Sequence, residues 1–209
     1  MNDDKGVYIA HPGKPMKYWI GKIWLALFRW RLEGETKLPA KFVFIAAPHT
    51  SNWDLPHMLA TAYVLRVRIS WLGKHTLFTG LLGRLLRALG GIPIDRRIPQ
   101  NTVYRIAELF NSASSLILAV PPEGTRRKTE YWKSGFYHIA RRAGVPIGFG
   151  FLDYGRRCCG VGGFLNLTGD IRGDMGKVRA FYKDIRGKYP DRQGRLRLRE
   201  EDDPPGGPA

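Results

Sequence analysis

Cysteine is scarce in this chain of 209 residues, and its only two cysteines, Cys158 and Cys159, are neighbours. Adjacent cysteines cannot join distant segments through a disulfide. No group of cysteines and histidines has the spacing of metal ligands either. We therefore expect two reduced thiols in a cytosolic environment and no metal site.

The chain also lacks a hydrophobic run long enough to span a bilayer. The most apolar segment is 16–32, MKYWIGKIWLALFRWRL, whose longest part without a charge is Ile23–Phe28; a span needs about 20 apolar residues. As a helix, this segment places its apolar side chains in one stripe, which consists of Trp19, Ile23, Ala26 and Trp30, widened by Trp24, Leu27 and Phe28. Tryptophans flanked by Lys and Arg favour an amphipathic helix in the lipid headgroup region over a helix in the core of the domain.

Acidic residues are few, since 18 Asp and Glu stand against 34 Lys and Arg and give a net charge of +16. Four of the acids follow one another at Glu200–Asp203, which leaves the rest of the chain more basic still. Such a surface attracts nucleic acid, anionic lipid or phosphorylated substrates. A nucleic-acid-binding module is therefore one hypothesis for this protein, although no familiar nucleic-acid motif is present.

The hydrophobic pattern alternates between strands and helices, which predicts an α/β fold with a mixed, largely parallel sheet flanked by helices. The predicted strands are 41–47, 67–72, 92–94, 115–120, 145–151 and 164–167. The predicted helices are 54–65, 81–89, 102–110, 132–142 and 174–186, the last capped by Asp174. Between them, 155–163 is predicted to be a glycine-rich loop, and 194–199 either an edge strand or a membrane-facing arm.

Composition divides the chain into three parts. Residues 1–32 are predicted to be an N-terminal amphipathic segment at the membrane surface. Residues 33–199 form the α/β domain. Residues 200–209 have no core-forming side chain and are predicted to be a disordered acidic tail.

His49 and Asp54 follow the buried strand 41–47, at the end of a strand where ligands gather in α/β sheets. An imidazole can take a proton from an alcohol near neutral pH, and a carboxylate on its other nitrogen fixes the tautomer. Five residues are about 140° on a helical wheel, so the two side chains meet only if the chain turns between them. Thr50–Asn52 supplies residues that favour such a turn.

Two further polar groups follow predicted strands. Arg96 ends the segment GGIPIDR and can grip a phosphate through its planar guanidinium. Gly124, Thr125 and Arg126 of the segment VPPEGTR offer close backbone approach and donors to an anion. Glu123 precedes them, and because an acid repels phosphate, it is interpreted as holding Arg96 or Arg126 or as accepting from a substrate hydroxyl.

These motifs, in this order and followed by Val145-Pro146-Ile147, resemble the glycerolipid acyltransferase family, whose best-known members are 1-acylglycerol-3-phosphate acyltransferases. The family pattern is H-x4-D, G-x-I-x-I-D-R, F-P-E-G-T-R-S and V-P-I, and the resemblance runs from about Phe42 to Phe151. It departs at Pro121, usually aromatic, and at Arg127, usually serine. These departures surround the acceptor positions and leave the His–Asp pair intact.

The resemblance implies that His49 is the general base and that Asp54 orients it. A hydroxyl of a lysophosphatidic acid or related lysophospholipid would attack the thioester of acyl-CoA or acyl-carrier protein directly, with no acyl-enzyme, metal or other cofactor. Arg96, Glu123, Gly124, Thr125 and Arg126 fall at the acceptor- and phosphate-binding motifs. Together with the charge, this predicts a peripheral protein at the cytoplasmic face of an anionic membrane. A membrane-surface protein that has the fold without the activity remains an alternative.

Overall fold

A computed structural model of the protein describes residues 15–94 and 99–202. The strands are β1 Arg31–Gly34, β2 Lys41–Ala47, β3 Ile69–Lys74, β4 Gly91–Ile94, β5 Leu116–Val120, β6 Ile147–Asp153 and β7 Cys158–Leu165. The helices are α1 Pro15–Leu27, α2 Asp54–Val64, α3 Gly80–Ala88, α4 Pro99–Ser112, α5 Gly135–Ala143 and α6 Ile171–Tyr182. Short 3-10 turns lie at His75–Leu77, Pro190–Arg192 and Arg199–Glu201.

The strands form one seven-stranded sheet in the order β1-β7-β6-β2-β5-β3-β4. Every neighbouring pair is parallel except β6 and β7, which are antiparallel. Helical crossovers between parallel strands place helices on both faces of the sheet. The predicted α/β fold with a mixed, largely parallel sheet is confirmed.

Strand β2 is the centre of the sheet, and its alternating side chains enter both hydrophobic layers. Val43 and Ile45 join the layer that α4, α5 and α6 cover. Phe42 and Phe44 join the opposite layer, beneath α2. On that second face Gly150 of β6 leaves room for an aromatic ring, since a Cβ there would lie 2.0 Å from the Phe44 ring.

Helix α1 packs on α2 through Gly21, where an added Cβ would lie 2.6 Å from the carbonyl oxygen of Ala60. Strand β1 then pairs with β7 from Arg31 onward. The N-terminal segment is thus part of the domain from Pro15, and the predicted boundary after residue 32 falls inside β1. Removing residues 1–32 would uncover the side of α2, so a truncation would test folding together with membrane binding.

The apolar face that α1 turns to solvent differs from the predicted stripe. Trp30, predicted to lie in the stripe, is 8% exposed and packs in the core. The exposed face consists of Met16, Trp19, Ile20, Ile23 and Leu27. Periodicity alone could not separate the two apolar faces of this helix, because both are rich in large side chains. Among the residues that the structure describes, no helix is long and apolar enough to cross a bilayer.

The predicted glycine-rich loop over 155–163 is wrong for most of its length, because Cys158–Leu165 is strand β7. Glycines in this strand permit close packing on both sides. A Cβ at Gly160 would lie 1.8 Å from the carbonyl oxygen of Glu33 in β1, and one at Gly162 would lie 2.0 Å from the Phe181 ring of α6. Both cysteines are free and buried in β7.

The C-terminal predictions also need correction. Asp170, rather than Asp174, caps α6 by accepting from the backbone N–H of Arg172. Residues 194–199 form neither an edge strand nor a membrane arm: buried Leu198 makes one isolated bridge to Trp132. The predicted tail from residue 200 is ordered through its first three residues, since buried Glu201 accepts from the backbone N–H of Leu198. The remainder, 203–209, lies outside the described residues.

His57 lies buried where α1 meets α2. Its Nδ1 accepts a hydrogen bond from the Trp24 indole N–H at 3.1 Å, and its ring stacks on Trp30 at 4.3 Å between centroids. Burial lowers the pKa of His57 from 6.5 to about 4. The imidazole is therefore neutral at physiological pH and acts as a packing element between the two helices.

We expect this histidine to make the protein less stable in mild acid. The unfolded chain protonates His57 below pH 6.5 while the folded chain resists until about pH 4, so stability is lost as the pH falls through this window. Between neutral pH and about pH 5 the loss is about 2 kcal/mol. Urea unfolding at the two pH values measures it. His57→Gln should reduce the pH dependence, whereas the same change at exposed His75 should not; equal slopes in the two variants would contradict the assignment.

Candidate active site

Three adjacent parallel strands, β6, β2 and β5, end at one place on the edge of the sheet. His49 follows β2 by two residues, Glu123 follows β5 by three, and Tyr154 comes directly after β6. The carboxyl ends of parallel strands form the usual ligand crevice of an α/β sheet. This topology brings the three side chains together from distant parts of the sequence.

The His49 ring is held by Asp54, whose Oδ2 lies 2.9 Å from Nδ1. The same Oδ2 accepts from the backbone N–H of Ser51 at 3.0 Å, and Oδ1 accepts from the Tyr154 hydroxyl at 2.8 Å. Because the carboxylate is an acceptor, Nδ1 carries the proton and Nε2 keeps its lone pair. The chain turn between His49 and Asp54 thus holds the imidazole in a fixed orientation.

Tyr154 is a member of this site that sequence reasoning missed. Burial, and then the charge of Asp54, raise the pKa of Tyr154 well above its usual value, so its hydroxyl stays protonated and donates. The only signal in the sequence is the position of Tyr154 directly after the strand that begins at Val145-Pro146-Ile147. That signal has meaning only once β6 is known to lie beside β2.

Glu123 lies beneath His49 rather than beside Arg126. It is 3% exposed, and its Oε1 accepts from the backbone N–H of His49 at 3.1 Å. Burial raises the pKa of Glu123. Its Oε2 is buried and has no hydrogen-bond partner among the residues that the structure describes. Glu123 thus holds the backbone of His49, a contact that the sequence did not predict; of its two predicted arginine partners, Arg96 is not among the described residues.

A cavity of about 620 Å³ opens beside His49 and Asp54. Gly124, Thr125 and Arg126, the residues predicted to bind the acceptor, line it, and Lys74 adds a second cation. Gly124 has a φ of +65°, which a glycine adopts without strain and which turns the loop toward the cavity. Arg96 lies outside the described residues.

The interior of this cavity is apolar and runs beneath α2, along the face of the sheet. Small residues form its floor, and larger apolar side chains form its walls: Ala46, Ala119, Gly150 and Gly160 below, with Leu55, Met58, Trp71, Leu82 and Leu86 around them. In the described part of the chain, no group of three or more His, Cys, Asp or Glu side chains is placed to hold a metal ion.

The sequence comparison decides the family. The Acyltransferase family model matches residues 29–148, more than half of the chain. The chain belongs to the Acyltransferase family. Membership of this family makes the protein an enzyme that transfers acyl groups, as the four ordered motifs predicted. A search of curated protein sequences found no match to the acyltransferase.

Among solved structures, the acyltransferase is similar to the 1-acyl-sn-glycerophosphate (LPA) acyltransferase PlsC from Thermotoga maritima. The two share 16% sequence identity with a TM-score of 0.52, and the match covers 80% of this chain and 75% of that chain. At this identity the likeness concerns the fold, and it supports the mixed sheet described above.

The buried position of Glu123 predicts a contrast between two substitutions. Glu123→Gln keeps an oxygen for the His49 N–H, so we expect kcat of the acyltransferase within about threefold of wild type. Glu123→Ala leaves that N–H unpaired and should lower kcat about tenfold to a hundredfold. Steady-state acyl transfer measures both, with exposed Glu130→Ala as the control. If the Gln variant is as impaired as the Ala variant, the negative charge of Glu123 is itself required.

Proposed function

We propose that this acyltransferase moves a fatty acyl group from acyl-CoA or acyl-carrier protein to a hydroxyl of lysophosphatidic acid or a related lysophospholipid, as a peripheral enzyme at the cytoplasmic face of a membrane. The observation that carries the proposal is the His49 ring, held by Asp54 through Nδ1. Its Nε2 has no partner among the described residues, and His49 lines a cavity that Arg126 also lines.

In the proposed reaction, Nε2 of His49 takes the proton of the acceptor hydroxyl. The oxygen attacks the thioester carbonyl carbon, and the C–O bond forms as the carbonyl becomes a tetrahedral oxyanion. The oxyanion collapses, the C–S bond breaks, and the leaving thiolate takes the proton back from His49. The negative charge of Asp54 stabilises the imidazolium between the two proton transfers. The products are an ester and a free thiol, with no acyl-enzyme.

The polar mouth of the cavity supports a phosphorylated acceptor. Arg126 and Lys74 are two exposed cations there, and Thr125 adds a hydroxyl. A guanidinium binds phosphate through paired N–H donors, and an ammonium adds a point charge. The resemblance also assigns Arg96 to this acceptor role.

The apolar interior of the cavity and the basic groove beside it support an acyl donor with an anionic carrier. The apolar interior under α2 suits a fatty acyl chain, since it buries methylene groups away from water. A wider groove of about 1250 Å³ adjoins the Gly124 loop and carries Lys133, Arg141 and Arg142 on its walls. Either the phosphates of CoA or an acidic carrier protein would be attracted to that basic rim.

The test is thiol release from long-chain acyl-CoA and from acyl-carrier protein, measured with purified full-length protein. Glycerol 3-phosphate, lysophosphatidic acid, other lysophospholipids and neutral glycerides serve as acceptors. We expect release that depends on a lysophospholipid, with a matching ester product by mass spectrometry. Acylation of neutral glycerides alone would overturn the phosphorylated acceptor, and the absence of acyl transfer with every pair would overturn the proposed reaction.

A further inference from the structure

A second pocket lies on the other side of the Asp54–Tyr154 hydrogen bond from the catalytic cavity, and the two share no lining residue. Its volume is about 400 Å³. Its walls are largely aromatic, with Phe28, Trp30, Trp53 and Tyr154, and Leu27 stands at its edge. We call it the Arg29–Arg157–Lys188 pocket, after the three cations that line it.

These three cations are free to bind an anion. Among the described residues, none of the three forms an ion pair, and no carboxylate lines the pocket. The Lys188 ammonium is held over the Trp53 ring, 4.8 Å from its centroid, which keeps its charge at the pocket. An aromatic wall with unpaired cations at the rim suits a ligand that has an anionic group attached to an apolar body.

Two of the cations occupy backbone conformations that cost energy. Arg29 has a φ of +57° and Arg157 a φ of +52°. Residues other than Gly, Asn and Asp rarely adopt this left-handed region. The two positions are brought near each other where the parallel strands β1 and β7 begin, because the backbone N–H of Arg31 donates to the carbonyl oxygen of Arg157. Each position belongs to a turn, Arg29 to the one after α1 and Arg157 to the one between β6 and β7, and these turns bring both side chains to the pocket.

The pocket continues the exposed apolar face of α1. That face ends at Leu27, which is 72% exposed and is also a pocket residue. A helix that lies in the interfacial region buries its apolar face at the boundary between headgroups and acyl chains. If α1 lies in this way, the three cations of the pocket are at the depth of the lipid phosphates.

We propose that the Arg29–Arg157–Lys188 pocket binds the phosphate group of one anionic phospholipid in the bilayer on which α1 rests. The proposal rests on the membrane-surface location in the proposed function. It adds a discrete lipid site to that location, separate from the acceptor site at Arg126. The aromatic wall and Leu27 would contact the glycerol and upper acyl region of the lipid, while the three cations neutralise its charge.

The test compares two triple variants of the full chain, matched in charge. The pocket variant is Arg29→Asn, Arg157→Asn and Lys188→Gln, in which asparagine tolerates the left-handed backbone. The control variant is Arg105→Gln, Lys177→Gln and Arg195→Gln. Its cations are exposed, and Arg105 and Lys177 belong to helices α4 and α6, on the face of the sheet opposite α1. Binding is measured by co-sedimentation with phosphatidylcholine vesicles, with and without phosphatidylglycerol.

We expect the pocket variant to lose about a hundredfold in binding to the anionic vesicles, at about fivefold for each cation near the surface. Its binding to neutral vesicles should not change. The control variant should bind almost normally, because Arg105 and Lys177 lie across the sheet from α1, and the sheet and its helices are thicker than the Debye length of about 10 Å. Equal losses in the two variants would mean that net charge alone drives binding, and no loss in the pocket variant would likewise overturn the site.

A titration with monomeric short-chain phosphatidylglycerol, followed by tryptophan fluorescence, distinguishes a lipid site from a site for free phosphate. We expect a saturable change in wild type that the pocket variant lacks, and none with inorganic phosphate at the same concentration. The same saturable change with inorganic phosphate would overturn the lipid assignment. Acyl transfer to a water-soluble acceptor should be unchanged in the pocket variant, so failure of the proposed reaction and failure of this pocket give different results.

Discussion

We expect His49→Gln to lower kcat for acyl transfer by about a thousandfold, because a glutamine amide has no nitrogen that can accept the proton of the attacking hydroxyl. The Asp54 carboxylate, the Tyr154 hydroxyl and the cavity remain in place, so KM for both substrates should change little. The measurement is acceptor-dependent thiol release under saturating donor and acceptor. Binding without turnover then assigns the loss to the chemical step.

The matched control for this substitution is His75→Gln, the same change at an exposed histidine in the 3-10 turn before α3. It should retain full activity. Thermal unfolding of both variants tests whether the fold is intact. A His49→Gln enzyme with more than about a tenth of wild-type kcat would show that another group takes the proton.

The parts of the fold that the sequence predicted well are those with a strong local pattern. Lys41–Ala47 is apolar in every residue after Lys41, and its predicted bounds are those of β2. Helix α5 ends at Ala143, one residue from the predicted end at residue 142, and Gly144 follows it with a φ of +63°. In such segments local preference and tertiary packing favour the same structure.

The missed elements depend on partners that are distant in sequence. Strand β1 is only four residues long, and it exists because it pairs with β7. Strand β7 itself contains three glycines within Cys158–Leu165, a composition that favours loops until the neighbouring Glu33 and Phe181 are known to need the space. A glycine is used where another segment packs closely against the backbone as well as where a loop is flexible, and a single sequence does not distinguish the two cases.

The same distinction applies within the candidate site. His49 and Asp54 are close in sequence, so their spacing and the intervening turn predicted that they meet. Tyr154 lies 100 residues from Asp54, and Glu123 lies 74 residues from His49. Their positions follow from the order β6-β2-β5 in the sheet. Strand order is a global property, which explains why the contact between Glu123 and the backbone of His49 was not predicted.

Asp54→Ala should be nearly as damaging as loss of the base, with kcat lower by about a thousandfold. It removes the acceptor that fixes the His49 tautomer and the charge that stabilises the imidazolium. Asp54→Asn separates these two effects. The backbone N–H of Ser51 donates to Oδ2, so an asparagine turns its amide oxygen toward Ser51 and His49 and its NH₂ toward the Tyr154 oxygen. The tautomer is then retained and only the charge is lost, and we expect kcat between those of wild type and Asp54→Ala.

Tyr154→Phe completes the argument, because it removes only the hydrogen bond to Asp54 Oδ1. Its loss should lower kcat about tenfold, since Ser51 still holds the other oxygen. If Tyr154 acts through Asp54, the same change in the Asp54→Ala background should cost nothing further, whereas independent roles would give additive losses. Steady-state kinetics of wild type, Tyr154→Phe, Asp54→Ala and the double variant measure the coupling between the two side chains. Full additivity would contradict a Tyr154–Asp54–His49 chain and leave Tyr154 as a packing residue against Trp30.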